Sequence, residues 1–445
     1  MNIKTSYGHI LKISLPIMIG SAAQNIIVLS DNIFLYHYDT VDFAAIGLIG
    51  AFYLIIIAIG YGFSRGGQIL IARKYGERDH SAIGSYFQSL VAYELILALL
   101  LFLFIQYLSE PFFRSLINDP EILKLCLDYI QLRSYGLFFS FTGVSIIALY
   151  NAVTHTRFIV IDTAILTISN IVLNYVLIFG HWGFNPMGIS GAAIASTLSE
   201  VIAFIAFIIY MFFDKVNRSF DLLSFKKLEL KLFKNSFNIS FPMVAQSFLG
   251  LGAYFVFFTW IENNSSADLK VSNLIRNVYL ILSIPTWGFS TGINTLVSIF
   301  IGRQKRQAVL PITHKTNWLN LASTMLISVP VLVLPNIFLY PLYGGAEDDI
   351  ISQSQGLLLL LIPILFMFGI GSIYLNGIIG TGHTRKALIL QAIATGIYLV
   401  FEFFVLKVYN LNLYWAWSGE FIYWGAILLF SFVYLKSKKW HVKSF

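Results

Sequence analysis

PIMIGSAAQNIIVLSDNIFLY, residues Pro16–Tyr36, is an apolar stretch long enough to cross a bilayer, broken near its outer end by one carboxylate, Asp31. A lone acid at the centre of a spanning helix costs about 2.5–3.5 kcal/mol on insertion scales, so its presence asks for a compensating task. For an intramembrane acid that task is ordinarily moving a cation. The rest of the chain is built to match: 57% of residues are hydrophobic and only 11% charged, more apolar surface than a soluble core could hide. The chain reads as a polytopic membrane protein. Its single cysteine, Cys126, cannot form an internal disulfide, and no polar linker leaves room for a soluble catalytic domain. The basic balance does not indicate nucleic acid, because the Lys and Arg residues sit in short loops between apolar spans. A cleavable signal is not expected, since the apolar run from Ile10 is too long and no small-residue cleavage site closes it.

Twelve spans follow from a length of about 20 apolar residues each. They cover 10–36, 43–63, 84–108, 125–152, 159–180, 188–213, 237–261, 272–300, 317–342, 353–379, 386–408 and 412–435. With both termini inside, 23 of the 29 Lys and Arg residues fall on the inner side. The opposite loops carry Asp39 and Asp42, Asp119 and Glu121, then Glu347, Asp348 and Asp349, so the charge bias predicts cytoplasmic N and C termini.

The chain also repeats itself. Ser14-Leu15-Pro16 returns as Ser240-Phe241-Pro242, Gly62-Phe63-Ser64 as Gly288-Phe289-Ser290 and Gly76 as Gly302, all 226 positions on; His155-Thr156-Arg157 returns as His383-Thr384-Arg385 and Ser190-Gly191 as Ser418-Gly419, 228 positions on. Six crossings bring the chain back to its starting side, so both copies insert in the same orientation. The expected fold is therefore all-α: twelve transmembrane helices in two six-helix lobes, 1–213 and 235–445, related by a pseudo-twofold axis and joined by a basic cytoplasmic linker, 214–234. Two such lobes suit alternating access. No Gly-rich loop ending in Gly-Lys-Ser/Thr is present, so an ion gradient is the expected energy source.

The stretch Gly60–Asp79, GYGFSRGGQILIARKYGERD, resembles the second-loop signature of the multidrug and toxic compound extrusion (MATE) family. So do the Pro16 to Asp31 spacing, the Asn170 and Asn174 pair, and GISGAAIAST over Gly188–Thr197. The likeness covers nearly the whole chain and is clearer in the N-terminal lobe. It implies a MATE-type fold of the NorM-like branch. It also implies a coupling Na⁺ or H⁺ held by Asp31, Asn170, Asn174 and Ser196, and a first helix that bends at Pro16 on protonation.

The residue chemistry is compatible with that set. Asn170 and Asn174, four apart, share a helix face, as do Gln24 and Asp31, and carboxylate, amide and hydroxyl oxygens suit a hard cation. Each has a plainer alternative: a structural acid at Asp31, interhelical hydrogen bonding at the two asparagines, close packing at Ser196. Shifting Asn174 by 228 lands on Glu402 and shifting Asn170 lands on Tyr398, which marks these two as a second cation or substrate site. Glu94, Asp128, Arg133, Asp162, Glu200, Arg276 and Glu420 lie near helix ends, where snorkelling to the interface is the expectation. The functional reading is a non-enzymatic antiporter, working as a monomer in the inner membrane. It exports small, amphipathic, cationic organic molecules in exchange for Na⁺ or H⁺, without a cofactor or a nucleic-acid partner. The alternatives are a lipid-linked saccharide flippase, which would need a cationic interior, and an integral-membrane enzyme, which would need a His-rich or paired-carboxylate centre.

Overall fold

The structure, a computed structural model, describes residues 6–222, 230–262, 265–343 and 348–442, and every regular element among them is helical. Seven helices come first: α1 (Tyr7–Tyr38), α2 (Thr40–Glu77), α3 (His80–Arg114), α4 (Pro120–Ser134), α5 (Gly136–Ala152), α6 (Arg157–Phe179) and α7 (Gly188–Phe213). The short α8 (Lys215–Phe220) follows, then α9 (Leu230–Glu262), α10 (Ser266–Leu282), α11 (Ile284–Gly302), α12 (Val309–Val333) and α13 (Pro335–Tyr343). The last three are α14 (Asp348–Gly380), α15 (Thr384–Phe403) and α16 (Leu413–Lys436). Polar caps make the turns between them tight. Asp39 accepts hydrogen bonds from the N–H groups of Val41 at 2.7 Å and Asp42 at 3.2 Å, so α2 opens two residues after α1 ends. Asp79, Asp119, Ser265 and Asn412 cap α3, α4, α10 and α16 in the same way.

Among the described residues nine helices are long and apolar enough to cross a bilayer alone, and α4 with α5, meeting at 49°, form a tenth crossing. The Asp31-bearing α1 and the broken pair α10–α11 complete twelve. The order of the first half recurs in the second: α9 follows α1, α10–α11 follow α2, α12–α13 follow α3, α14 follows α4–α5, and α15 and α16 follow α6 and α7. The breaks are not copied. α2 runs unbroken, whereas its counterpart stops at Ser283, whose hydroxyl donates to the Tyr279 carbonyl at 2.6 Å, two residues before Pro285. Proline supplies no N–H to the ladder and disfavours helical backbone in the residue before it, which accounts for the interruption.

Contacts gather the chain into two units. One is Ile19–Val244; the other joins the residues up to Met18 with Ala245–Phe445. Both boundaries lie inside long helices, two residues beyond Pro16 in α1 and Pro242 in α9. Glycines decide how closely the leading turns pack. A side chain at Gly62 or Gly66 of α2 would run into Val244 and Ser240 of α9, and one at Gly288 or Gly292 of α11 would run into Met18 and Ser14 of α1. These seams are copies of each other at the 226 offset, and a small residue every fourth position is what lets two helix backbones approach. The first unit is centred on Leu35, Ile49, Cys126, Phe141 and Ile189, the second on Phe257, Leu358, Leu361, Tyr398 and Trp417. Of the connecting stretch 214–234, residues 223–229 lie outside the described residues, as do Glu347 and the side chains of Gln24, Asp348 and Asp349.

Candidate functional site

α1, α6 and α7 bring one side chain after another to a single buried place in the Ile19–Val244 unit. Asn170 and Asn174 are fully buried, Ser196 is 4% exposed and Asp31 7%. The i, i+4 spacing on α6 puts both amides on the face that meets α1 and α7. Asn174 Nδ2 donates to Asp31 Oδ1 at 2.5 Å and to Asn170 Oδ1 at 3.2 Å. The Ser196 hydroxyl donates to Asp31 Oδ2 at 3.2 Å and accepts from Asn170 Nδ2 at 3.0 Å. All four residues proposed from the sequence are thus in one hydrogen-bonded ring.

What the ring lacks is a base. Among the described residues no ion pair involves Asp31; its partners are two amides and a hydroxyl, all neutral. Such neighbours solvate a negative charge without cancelling it, so the carboxylate keeps its capacity for a proton or a small cation. The oxygens fit a hard cation: two from Asp31, the Asn170 and Asn174 carbonyls, and the Ser196 hydroxyl. Among the described residues the Asn174 Oδ1 is buried without a hydrogen-bond partner, so one lone-pair site is open. A half-turn of that amide would exchange its donor for a carbonyl oxygen toward the carboxylate.

Sequence reasoning missed the nearest strong charge pair. Arg133 on α4 donates to Glu200 on α7 through both terminal nitrogens, at 2.7 and 2.6 Å, and its guanidinium lies 4.6 Å from the centroid of the Tyr53 ring. The two side chains are only 9% and 13% exposed. Contrary to the expectation from sequence they do not snorkel: a buried bidentate partner makes burial cheaper than reaching the interface. Opposite charges at similar depth in two spans were the available signal. The same correction holds for Glu94, fully buried with the Ser64 hydroxyl donating to it at 2.9 Å, and for Asp162 and Glu420, each 5% exposed. In the other unit Tyr398 and Glu402 share a face of α15, 3% and 0% exposed, and the Tyr398 hydroxyl and both Glu402 oxygens have no hydrogen-bond partner. Pro16 lies inside α1 without ending it.

The model of the MatE family matches this chain twice over, across residues 16–176 and again across 242–404. The second match starts 226 positions after the first and ends 228 after it, the offsets of the internal repeat. The chain belongs to the MatE family. Among its MatE-type relatives is a probable multidrug resistance protein NorM of Thermotoga maritima, 25% identical over 98% of this chain and 93% of that protein. A multidrug export protein MepA of Staphylococcus haemolyticus is 25% identical over 88% of this chain and 85% of its own length. The fold is also that of a solved multidrug resistance MATE family transporter of the MOP superfamily in an outward-facing conformation. That structure superposes with a TM-score of 0.86 at 20% identity, over 98% of this chain and 96% of the other.

Proposed function

We propose that this MatE protein is a cation-coupled antiporter that exports amphipathic, cationic organic molecules by alternating access, with Asp31 as the coupling acid. The observation that carries the reading is the buried carboxylate bonded only to neutral groups. An unpaired ionised acid in an apolar interior is strongly disfavoured, so Asp31 gains most from whichever small cation it can reach, H⁺ or Na⁺. Only a difference in that gain between outward-open and inward-open states drives a cycle, and the hydrogen-bonded ring through α1, α6 and α7 is the element whose rearrangement would alter it. The names of the relatives support drugs or drug-like compounds as substrates. The flippase alternative is not favoured, because the buried charged side chains are mostly carboxylates and could not hold a pyrophosphate. We read the protein as a monomer in the inner membrane with both termini cytoplasmic, its two lobes joined by 214–234.

The test is ethidium or norfloxacin transport in reconstituted vesicles under an imposed pH or Na⁺ gradient. One coupled ion at a tenfold gradient supports about tenfold substrate accumulation by neutral exchange. Asp31→Asn should abolish that accumulation while leaving the protein folded. Wild-type accumulation in Asp31→Asn would remove the coupling assignment.

A further inference from the structure

The repeat relates the Asp31 ring to a second place in the chain. With the offsets of the duplication, Asp31 corresponds to Phe257 on α9, Asn170 to Tyr398 and Asn174 to Glu402 on α15, and Ser196 to Trp424 on α16. In the unit that holds Ala245–Phe445 these residues form one cluster. The rings of Phe257 and Tyr398 lie 6.1 Å apart, and Trp424 stacks edge-on to Tyr423, which in turn meets Tyr398 at 5.7 Å. The first-helix acid is gone from this copy. Two acids replace it, Glu402 on the fifth helix of the repeat and Glu420 on the sixth.

Glu402 is fully buried with both oxygens unpartnered among the described residues, and Tyr398, one turn away, is 3% exposed with its hydroxyl likewise unpartnered among them. The Glu402 carboxylate sits against the backbone of α16 at Gly419, beside Glu420, in the space a side chain there would fill; the same absent side chain would touch the Tyr398 ring. Glu420 accepts from Trp424 Nε1 at 3.1 Å, and that N–H is shared with the Tyr279 hydroxyl at 3.1 Å. Around the two acids stand Tyr423 on α16, Tyr254 on α9, and Tyr279 and Arg276 on α10, whose guanidinium lies 5.1 Å from the Phe258 ring centroid. Among the described ion pairs none joins Arg276 to either acid.

We propose that Glu402, with Glu420 and the Tyr398 hydroxyl beside it, is a second ion site whose ligand is a proton. The space beside Glu402 selects the ligand. A Glu402 oxygen packed where only a glycine fits has no room beside it for an organic ammonium or for the shell of several oxygens that Na⁺ gathers. A proton needs neither. It converts the Glu402 carboxylate to a carboxylic acid, whose O–H can then donate to Tyr398 or Glu420, and it removes one of two adjacent like charges. The inference deepens the antiporter reading and rests on it: one proton is exchanged at Glu402 in addition to the ion at Asp31.

Two readouts test it on the full-length protein. In the first, pH-difference infrared spectra of the purified protein in lipid report protonated carboxyl groups without any substrate. Glu402→Gln should remove one titrating carboxyl band, and Glu420→Gln should shift the pH midpoint of that band while keeping it. In the second, ethidium accumulation is driven by a pH difference of one unit. Each coupled proton supports about a tenfold gradient, so losing the one at Glu402 in Glu402→Gln should lower accumulation roughly tenfold, whether the ion at Asp31 is a proton or Na⁺. Should Glu402→Gln not fold, Glu402→Asp replaces it, with a shifted midpoint as the expected result and an unchanged one as the contrary result. Wild-type spectra and wild-type accumulation in Glu402→Gln overturn the proposal and leave Asp31 untouched. Wild-type coupling in Asp31→Asn together with a loss in Glu402→Gln overturns the Asp31 reading alone.

Discussion

Asp31 and Arg133 show how differently one unit treats buried charge. Asp31 has only neutral partners and stays receptive; Arg133 has a bidentate carboxylate and is satisfied. Asn174 contributes both a hydrogen bond and an unpartnered carbonyl oxygen to the ring, so Asn174→Leu, similar in bulk without the oxygen, should weaken coupling. The expected change is about tenfold or more in the cation concentration that half-saturates efflux, the scale seen when a ligand-supporting group is removed. The Arg133–Glu200 pair predicts a stability effect instead. Arg133→Met leaves Glu200 buried without its partner and should cost about 3–5 kcal/mol, read as a lowered thermal midpoint in detergent. The double variant Arg133→Met/Glu200→Met should recover most of that loss, because no charge is left stranded. A double variant as unstable as the single one would show that packing rather than charge is responsible.

At the scale of elements, the two halves keep helix order while changing where helices break. α2 is continuous and α10–α11 is not; α4 and α5 meet at an angle while α14 continues through Pro363. The feature both halves retain is the glycine seam that seats Ser240 and Val244 on α2 and Ser14 and Met18 on α11. At Gly66 the contact includes the Cα of Ser240, so a larger residue cannot be accommodated by rotating a side chain. Gly66→Val should therefore destabilise by about 1–3 kcal/mol, the usual cost of overpacking. Pairing Gly66→Ala with Ser240→Gly should be milder than Gly66→Ala alone, a non-additivity that thermal unfolding would detect and that independent effects would not produce.

For the whole molecule we propose that both termini and the α7–α9 connection lie on one side of the membrane, the reading that the charge bias and the even number of crossings support. The native cysteine is fully buried, so engineered cysteines can be read over a low background. Ser437→Cys after α16 and Lys215→Cys in α8 should both react with an impermeant thiol reagent from the cytoplasmic side alone; labelling of the two from opposite faces would contradict the inverted-free repeat. The crossings themselves were legible in the chain. Hydropathy yields the crossings because lipid forces each spanning segment to satisfy its own backbone, so a span is a local property of about 20 consecutive residues. The repeat was likewise readable through its offsets, and helical spacing with a family likeness named Asp31, Asn170, Asn174 and Ser196, which the structure brings into one hydrogen-bonded ring. Whether a buried charge has a partner was not. Arg133 and Glu200 are 67 positions apart, Glu402 and Glu420 lie on different helices, and only the packing of those helices decided that the first pair is neutralised while Asp31 and Glu402 are left without a base. Spanning is decided along the chain; charge compensation is decided across it.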